Sequence, residues 1–201
     1  MSFWRRWLSI EVLWVAVGCA LGLTAVAGLV TRQRAAPVAV AVAIPSATLA
    51  GWRETGWPLP ADPWWPTKAF TCAKAVCGVD ITLYVRAKIG FCNCKTGVAD
   101  DEELERIGDF GVLASGHAPT ADGRPILVRT MRGRSRPYTM ASKAPAPAAG
   151  SALLIGYNDR CDAVVATALV GSGDPQAVEA RVLEFLAGPG LWPWTEATLG
   201  L

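Results

Sequence analysis

The sequence predicts an α+β domain on an antiparallel sheet with a C-terminal helix, preceded by a single N-terminal transmembrane helix. Three observations lead to this fold class. Residues 12–30 carry no charge, and five cysteines lie beyond them. The rest of the chain alternates like strands, has one clear late helix and lacks a β-α-β rhythm. We therefore expect a small, disulfide-containing domain held on a membrane anchor.

The composition indicates that part of the chain belongs in lipid. Apolar residues make up 52% of the 201 residues and charged residues only 18%, against about a quarter in typical soluble domains. The mean hydropathy is +0.30. The net charge of +2 lacks the concentrated basic excess of nucleic-acid-binding domains, so no nucleic-acid partner is expected.

The run at residues 12–30 predicts the membrane anchor. At about 1.5 Å per residue, a helix of this length nearly spans a hydrocarbon core of roughly 30 Å. We place the transmembrane helix, in contact with membrane lipid, at residues 12–31, after a cytoplasmic tail at residues 1–11. Residues 25–27 have the A-x-A form of a signal-peptide cleavage site, but the apolar length favours an uncleaved anchor.

The cysteines indicate the compartment. Arginines flank the apolar run on both sides, so they do not define its orientation. Five of the six cysteines lie beyond the run, which favours an oxidising compartment. We expect a single-pass protein of the bacterial inner membrane with most of its chain in the periplasm.

Residues 32–69 predict a tether. Its first part is rich in alanine and valine, and its second part interleaves prolines with four tryptophans. Proline removes amide donors and favours extended or turn geometry, which makes the tether semi-rigid. The rings either pack on their own domain, the favoured interpretation, or form a docking strip for a membrane partner. These tryptophans are Trp52, Trp57, Trp64 and Trp65.

The domain itself is expected to occupy residues 70–201. Residues 79–91 alternate apolar and polar residues, which predicts a half-buried strand. A short helix follows, with Asp100 as N-cap, Glu103 at the capping-box position and Gly108 as its stop.

Further strands and a late helix complete the predicted domain. Residues 124–140 predict two strands around a turn at Gly133, and residues 151–170 predict one or two strands broken near Asn158. Asp174 is expected to cap a helix that ends at Gly188. Pro175 stands at its first position, and its apolar face comprises Val178, Val182, Phe185 and Leu186. The tail around Trp192 and Trp194 is expected to fold back onto the domain.

The five cysteines beyond the anchor could form disulfides, bind a metal or act in redox chemistry: Cys72, Cys77, Cys92, Cys94 and Cys161. Disulfides are the common outcome in an oxidising compartment. The spacing does not define their connectivity, and an odd number leaves one thiol unpaired within the chain. The sequence contains no pair of C-x-x-C motifs, so the cysteine spacing does not support a zinc site. Cys92 and Cys94 would share one face of a strand, with Cys161 as the candidate partner of either.

No catalytic set is recognisable. His117 is the only histidine and stands in a stretch expected to be a surface loop. The G-x-S-x-G elbow, the phosphate-binding glycine loops and the covalent haem motif are all absent. We therefore expect no catalytic residue, no cofactor and no resident metal.

Charge is segregated along the domain. Residues 124–143 contain basic residues without an acid, whereas residues 100–109 contain six acids. The two segments could steer a partner, face each other within the domain or be solvated. The arginines we consider for partner binding are Arg129, Arg132, Arg134 and Arg136.

The first function hypothesis is a non-catalytic accessory or assembly subunit of an integral membrane protein complex. It would use the four tether tryptophans and the four arginines for partner binding. The alternative is a periplasmic protein of thiol-redox or copper chemistry, working through Cys92 and Cys94. A hydrolase using His117 ranks third because the rest of a catalytic set is missing.

Overall fold

The computed structural model describes residues 51–57, 64–142 and 150–201. The predicted tail at residues 1–11, the transmembrane helix at residues 12–31 and the first part of the tether lie outside this range. Among the described residues, no helix is both long enough and apolar enough to cross a bilayer. These residues form an α+β domain on a single antiparallel sheet, which confirms that part of the predicted fold class.

The sheet contains eight strands and is accompanied by short helices. The strands are β1 (Trp52–Thr55), β2 (Thr67–Cys72), β3 (Ile81–Lys88), β4 (Ala114–Pro119), β5 (Arg124–Val128), β6 (Met131–Ser142), β7 (Ser151–Asp159) and β8 (Asp162–Val170). The helices are α1 (Lys74–Cys77), α2 (Asp101–Ile107), α3 (Phe110–Leu113), α4 (Glu179–Ala187) and α5 (Trp192–Leu199), with a 3-10 turn at Pro175–Val178 before α4.

The strand order is β1-β2-β3-β8-β7-β6-β4, and β5 also pairs with β6. The strands form two groups, β1 to β3 and β4 to β8. The groups meet where β3 pairs with β8, from Ile81 opposite Val170 to Lys88 opposite Ala163. We call this pairing the central seam. It joins strands that are far apart in sequence, whereas most other pairs are local hairpins.

Both faces of the sheet are covered. On one face, α4 and α5 bury Val182, Leu186 and Trp192 against the strands. On the other, which we call the α2–α3 face, Leu104 and Phe110 are buried. A sheet with both faces covered buries apolar and polar strand positions alike, and this property creates the site described below.

The sheet extends toward the N-terminus beyond residue 70. β1 and the first residues of β2 lie in the segment whose composition indicates a tether. Trp52 in β1 is buried and stacks on Phe185 of α4, with 4.6 Å between the ring centroids. Part of the tryptophan-rich segment is thus an edge strand of the domain.

The predicted turn at Gly133 is wrong. The chain turns at Arg129 and Thr130, where Arg129 has φ of 52°. Gly133 lies inside β6, where an added Cβ would collide with the carbonyl oxygen of Gly156 and the Cα of Tyr157. The glycine therefore permits a close approach of two strands rather than a turn.

The predicted helix caps are confirmed in their local contacts. The Asp100 side chain accepts a hydrogen bond of 2.7 Å from the amide of Glu103, and α2 ends at Gly108. The carboxylate of Glu103 accepts from the amide of Asn93 and from Arg106 instead of closing a capping box. Asp174 accepts from the amide of Gln176, at 2.9 Å.

The C-terminal tail folds back onto the domain, as predicted. The 3-10 turn at Pro175–Val178 forms the first part of the expected late helix, and α4 continues it. The tail then forms α5, which the sequence pattern does not predict, and Trp192 and Thr195 of α5 are buried.

Candidate functional site

Three polar side chains of β3 are buried on the α2–α3 face. Tyr84, Arg86 and Lys88 alternate along the strand, and each has an exposure of 5% or less. The prediction of a half-buried strand is therefore wrong, because its polar side is covered as completely as its apolar side. Arg86 and Lys88 bring two cations into the interior, where an unpaired charge is costly.

The carboxylate of Asp109 pairs with both cations. Asp109 lies in the connection between α2 and α3 and is itself buried. Its Oδ1 atom is 3.0 Å from Nζ of Lys88 and 3.4 Å from Nη1 of Arg86. One carboxylate thus faces two buried cations, so the fully ionised cluster carries one excess positive charge.

Aromatic rings lie over the two cations. The guanidinium carbon of Arg86 is 5.1 Å from the ring centroid of Trp57. Nζ of Lys88 is 5.1 Å from the ring of Trp65 and 5.3 Å from the ring of Phe91. Such contacts contribute roughly 0.5 to 2 kcal/mol each, depending on desolvation. Trp57, Trp65 and Phe91 therefore cover this charged cluster.

The environment of Lys88 lowers its pKa. Burial is the largest cause, because it disfavours the charged amine, and the carboxylate of Asp109 opposes it. The nearby charges of Arg86 and Arg106 lower the pKa further. A buried lysine with a perturbed pKa marks the cluster as a candidate functional site.

Two hydrogen-bond donors in the cluster have no acceptor. Nε of Arg86 and Nε1 of Trp57 are buried without a hydrogen-bond partner among the described residues. Buried polar atoms are hydrogen-bonded in the great majority of native structures. We name Arg86, Lys88, Asp109 and Trp57 the cation cluster.

The cysteines form two disulfides, which confirms the prediction of disulfide bonds. One bridge joins Cys72 to Cys77 across α1, and the other joins Cys94 to Cys161. Cys161 was the candidate partner of Cys92 or Cys94, and the structure pairs it with Cys94. Because Cys94 follows β3 and Cys161 precedes β8, this bridge closes one end of the central seam.

Cys92 is a buried thiol beside that bridge. Its Sγ donates a hydrogen bond of 3.2 Å to the carbonyl oxygen of Arg160. Burial, and to a smaller extent the carboxylates of Glu103 and Asp162, raise the pKa of the thiol to about 11. Within the described ranges, no group of three or more metal-ligating side chains is present.

The four predicted partner-binding tryptophans fall into two groups. Trp52, Trp57 and Trp65 contact rings of their own domain, in agreement with the favoured packing interpretation. Trp64 has 82% of its surface exposed. Partner binding by these residues stays a prediction, and Trp64 is the most exposed of the four.

The predicted partner-binding arginines have different surroundings. Arg134 pairs with Asp101, and Arg136 pairs with Glu105 at 2.9 Å, so the basic and acidic segments face each other at these positions. Arg129 donates to the carbonyl oxygen of Ala187 at 2.9 Å. Arg132 is exposed. Their role in partner binding stays a prediction.

His117 lies in strand β4 rather than in a loop. It is exposed, and its ring stacks on Phe110 with 4.1 Å between centroids. Tyr138 is the next ring, at 5.8 Å.

The sequence analysis missed the cation cluster. Arg86 and Lys88 alternate with apolar residues, a pattern typical of a solvated strand face, and Asp109 stands among five other acids. The available signal was the nearby excess of tryptophan, because aromatic side chains bury large areas and their faces attract cations. No protein-family model, no curated protein and no solved structure matches the chain.

Proposed function

We propose that the protein is a non-catalytic accessory or assembly subunit, anchored in the bacterial inner membrane, that binds an integral membrane protein complex from the periplasmic side. The observation that carries this proposal is the exposure of Trp64 next to the packed ring of Trp65. Tryptophan is enriched among the residues that dominate binding energy at protein interfaces. A large and mostly exposed ring next to a packed one is suited to docking.

Two further features support the proposed location. Two disulfides suit an oxidising compartment. The uncharged run at residues 12–30 has the length of a membrane-spanning helix. In this proposal the run anchors the chain in lipid, and the tryptophan-rich segment leads from the anchor to the domain.

The alternative, thiol-redox or copper chemistry at Cys92 and Cys94, is less favoured by the geometry. Cys94 is occupied by its bond to Cys161. Because the thiolate is the reactive and metal-binding form of cysteine, the raised pKa of Cys92 works against both activities. The pair would become available only after reduction of the Cys94–Cys161 bridge.

The location can be tested with reporter fusions in a bacterial host. We expect alkaline phosphatase fused after Leu201 to be active, because the enzyme requires export to form its own disulfides. A fluorescent protein that matures only in the cytoplasm should be dark at the same position. An inactive phosphatase together with a bright fluorescent fusion would reverse the proposed topology.

Partner binding can be tested by replacing Trp64 with alanine. We expect the partner to bind roughly 30-fold more weakly, which corresponds to a loss of about 2 kcal/mol of binding free energy. A loss of this size is typical of a buried tryptophan anchor. The measurement is quantitative mass spectrometry of the full-length protein purified in mild detergent. Tm should stay unchanged, because Trp64 is mostly exposed in the domain.

A matched control is Leu127→Ala, which removes another exposed apolar side chain, with 60% exposure, from strand β5. This variant should retain every partner. The proposal fails if Trp64→Ala also retains all partners, or if the wild-type protein purifies as a lone monomer.

A further inference from the structure

We propose that the cation cluster binds a small monovalent anion of chloride size, held between Nε of Arg86 and Nε1 of Trp57. The proposal concerns the isolated protein, so it stands or falls independently of the accessory-subunit role. It rests on the charge of the cluster and on its two unpartnered donors.

The first argument is charge. The side chains of Arg86, Lys88 and Asp109 are 6%, 5% and 8% exposed, so water does not screen them effectively. Among the described residues, two cations and one carboxylate leave one positive charge uncompensated. Isolated buried charges are strongly unfavourable, and a single monovalent anion would neutralise this one.

The second argument is hydrogen bonding. A guanidinium Nε–H and an indole Nε1–H can only donate, so these two buried atoms cannot satisfy each other and require an acceptor. The guanidinium carbon of Arg86 lies 5.1 Å from the ring of Trp57. One acceptor at about 3 Å from each donor can bridge groups this close. An anion is the acceptor that also meets the excess charge.

The third argument is the lack of a second carboxylate. Across the sheet, Arg86 has Thr67 on β2 and Val165 on β8, and Lys88 has Ala163. On the helical side, three acids of α2 have their own cations. Asp101 and Glu105 contact Arg134 and Arg136, and Glu103 contacts Arg106. Among the described residues, Asp109 is the one carboxylate that pairs with the cluster.

The charge of the cluster determines which anion is expected. The rings of Trp57 and Trp65 lie over the two cations, and one monovalent anion matches the single excess charge beneath them. A divalent anion such as sulfate would overcompensate the single excess charge. We therefore expect halides to bind and sulfate to be excluded.

The test uses the full-length protein in detergent at constant ionic strength. Sodium chloride or bromide replaces sodium gluconate stepwise, and Tm and tryptophan fluorescence are recorded. We expect a saturable rise in Tm of about 5 °C, because a ligand that binds only the folded state stabilises it. Bromide should also quench the emission. In crystals grown with bromide, anomalous scattering should place one ion beside Nε of Arg86.

Two variants separate specific binding from general salt effects. Lys88→Met removes the excess charge while keeping the Arg86–Asp109 pair, so the halide dependence of Tm should disappear. Arg132→Gln removes the same charge from an exposed position of β6, and its halide dependence should match the wild type. If Lys88→Met unfolds, the proposal is decided by whether wild-type crystals show a bromide ion beside Nε of Arg86.

Three outcomes would overturn the proposal. The first is a Tm that does not distinguish halide from gluconate, as expected if Lys88 is uncharged or a water bridges the two donors. The second is an equal halide response in wild type and Lys88→Met. The third is a bromide site elsewhere with none beside Arg86.

Discussion

Replacing Asp109 with alanine should lower the free energy of unfolding by about 3 to 5 kcal/mol, because removal of one partner leaves buried charges uncompensated. Asp109 is the carboxylate that faces both Arg86 and Lys88. It also connects β3 to the segment between α2 and α3, so its loss should loosen the helical layer on that face. The measurement is urea unfolding in gluconate buffer, where no halide can compensate the charge.

The control removes the whole cluster. In the triple variant Arg86→Met, Lys88→Met and Asp109→Leu, no charge is left unpaired, so stability should recover to near the wild-type value or exceed it. This comparison separates the cost of an uncompensated charge from the cost of altered packing. A loss below about 1 kcal/mol for Asp109→Ala would show that the carboxylate does not compensate the cations.

Removing the Cys94–Cys161 bridge should cost about 4 kcal/mol. The two cysteines are 67 residues apart, and the chain-entropy model assigns about this value to a loop of that length. The variant is Cys94→Ala with Cys161→Ala, which avoids creating a new unpaired thiol. The measurement is urea unfolding without reductant, so that the wild-type protein keeps its disulfides.

The shorter bridge provides the matched control. Cys72 and Cys77 are 5 residues apart, so their replacement by alanine should cost only about 2 kcal/mol in the same model. Peptide mapping of the unreduced protein should recover both bridges, and Cys92 should be alkylated only after unfolding. A Cys92–Cys161 bridge, or a stoichiometric metal on these thiols, would contradict the assignment.

Features that depend on near neighbours could be predicted from the sequence. The caps at Asp100 and Asp174 involve contacts two or three residues away, and the strand Ile81–Lys88 follows from the alternation within residues 79–91. The late helix could be predicted for the same reason, because Pro175 and the residues of its apolar face lie close together in the sequence. In such cases short-range geometry restricts the structure strongly.

Features that depend on distant neighbours could not be predicted. Whether Gly133 makes a turn or a close approach is decided by Gly156 on another strand. The burial of Arg86 and Lys88 is decided by rings of the tryptophan-rich segment and by Asp109. Alternation identifies the two faces of a strand, but it does not show what covers each face.

The choice between Cys92 and Cys94 is another long-range outcome. Both were expected on one face near Cys161, and their spacing alone does not distinguish them. The amide of Cys92 bonds the carbonyl oxygen of Cys161 at 3.1 Å, and its thiol bonds the neighbouring carbonyl of Arg160. Cys94, two residues on, is then the one whose sulfur reaches Cys161.

The central seam has a consequence for the order of folding. β5 with β6 and β7 with β8 are local hairpins that can close as soon as each pair has been synthesised, whereas β3 must wait for β8. Lys88 and Ala163 have the smallest sequence separation of all the residue pairs in the central seam. The two groups of strands therefore cannot join until most of the chain is available. Contacts between residues so far apart in sequence slow folding, because a long loop must close before they contribute any stability. Until then the edge of β3 is unpaired, and this is the stage at which the chain is most exposed to aggregation.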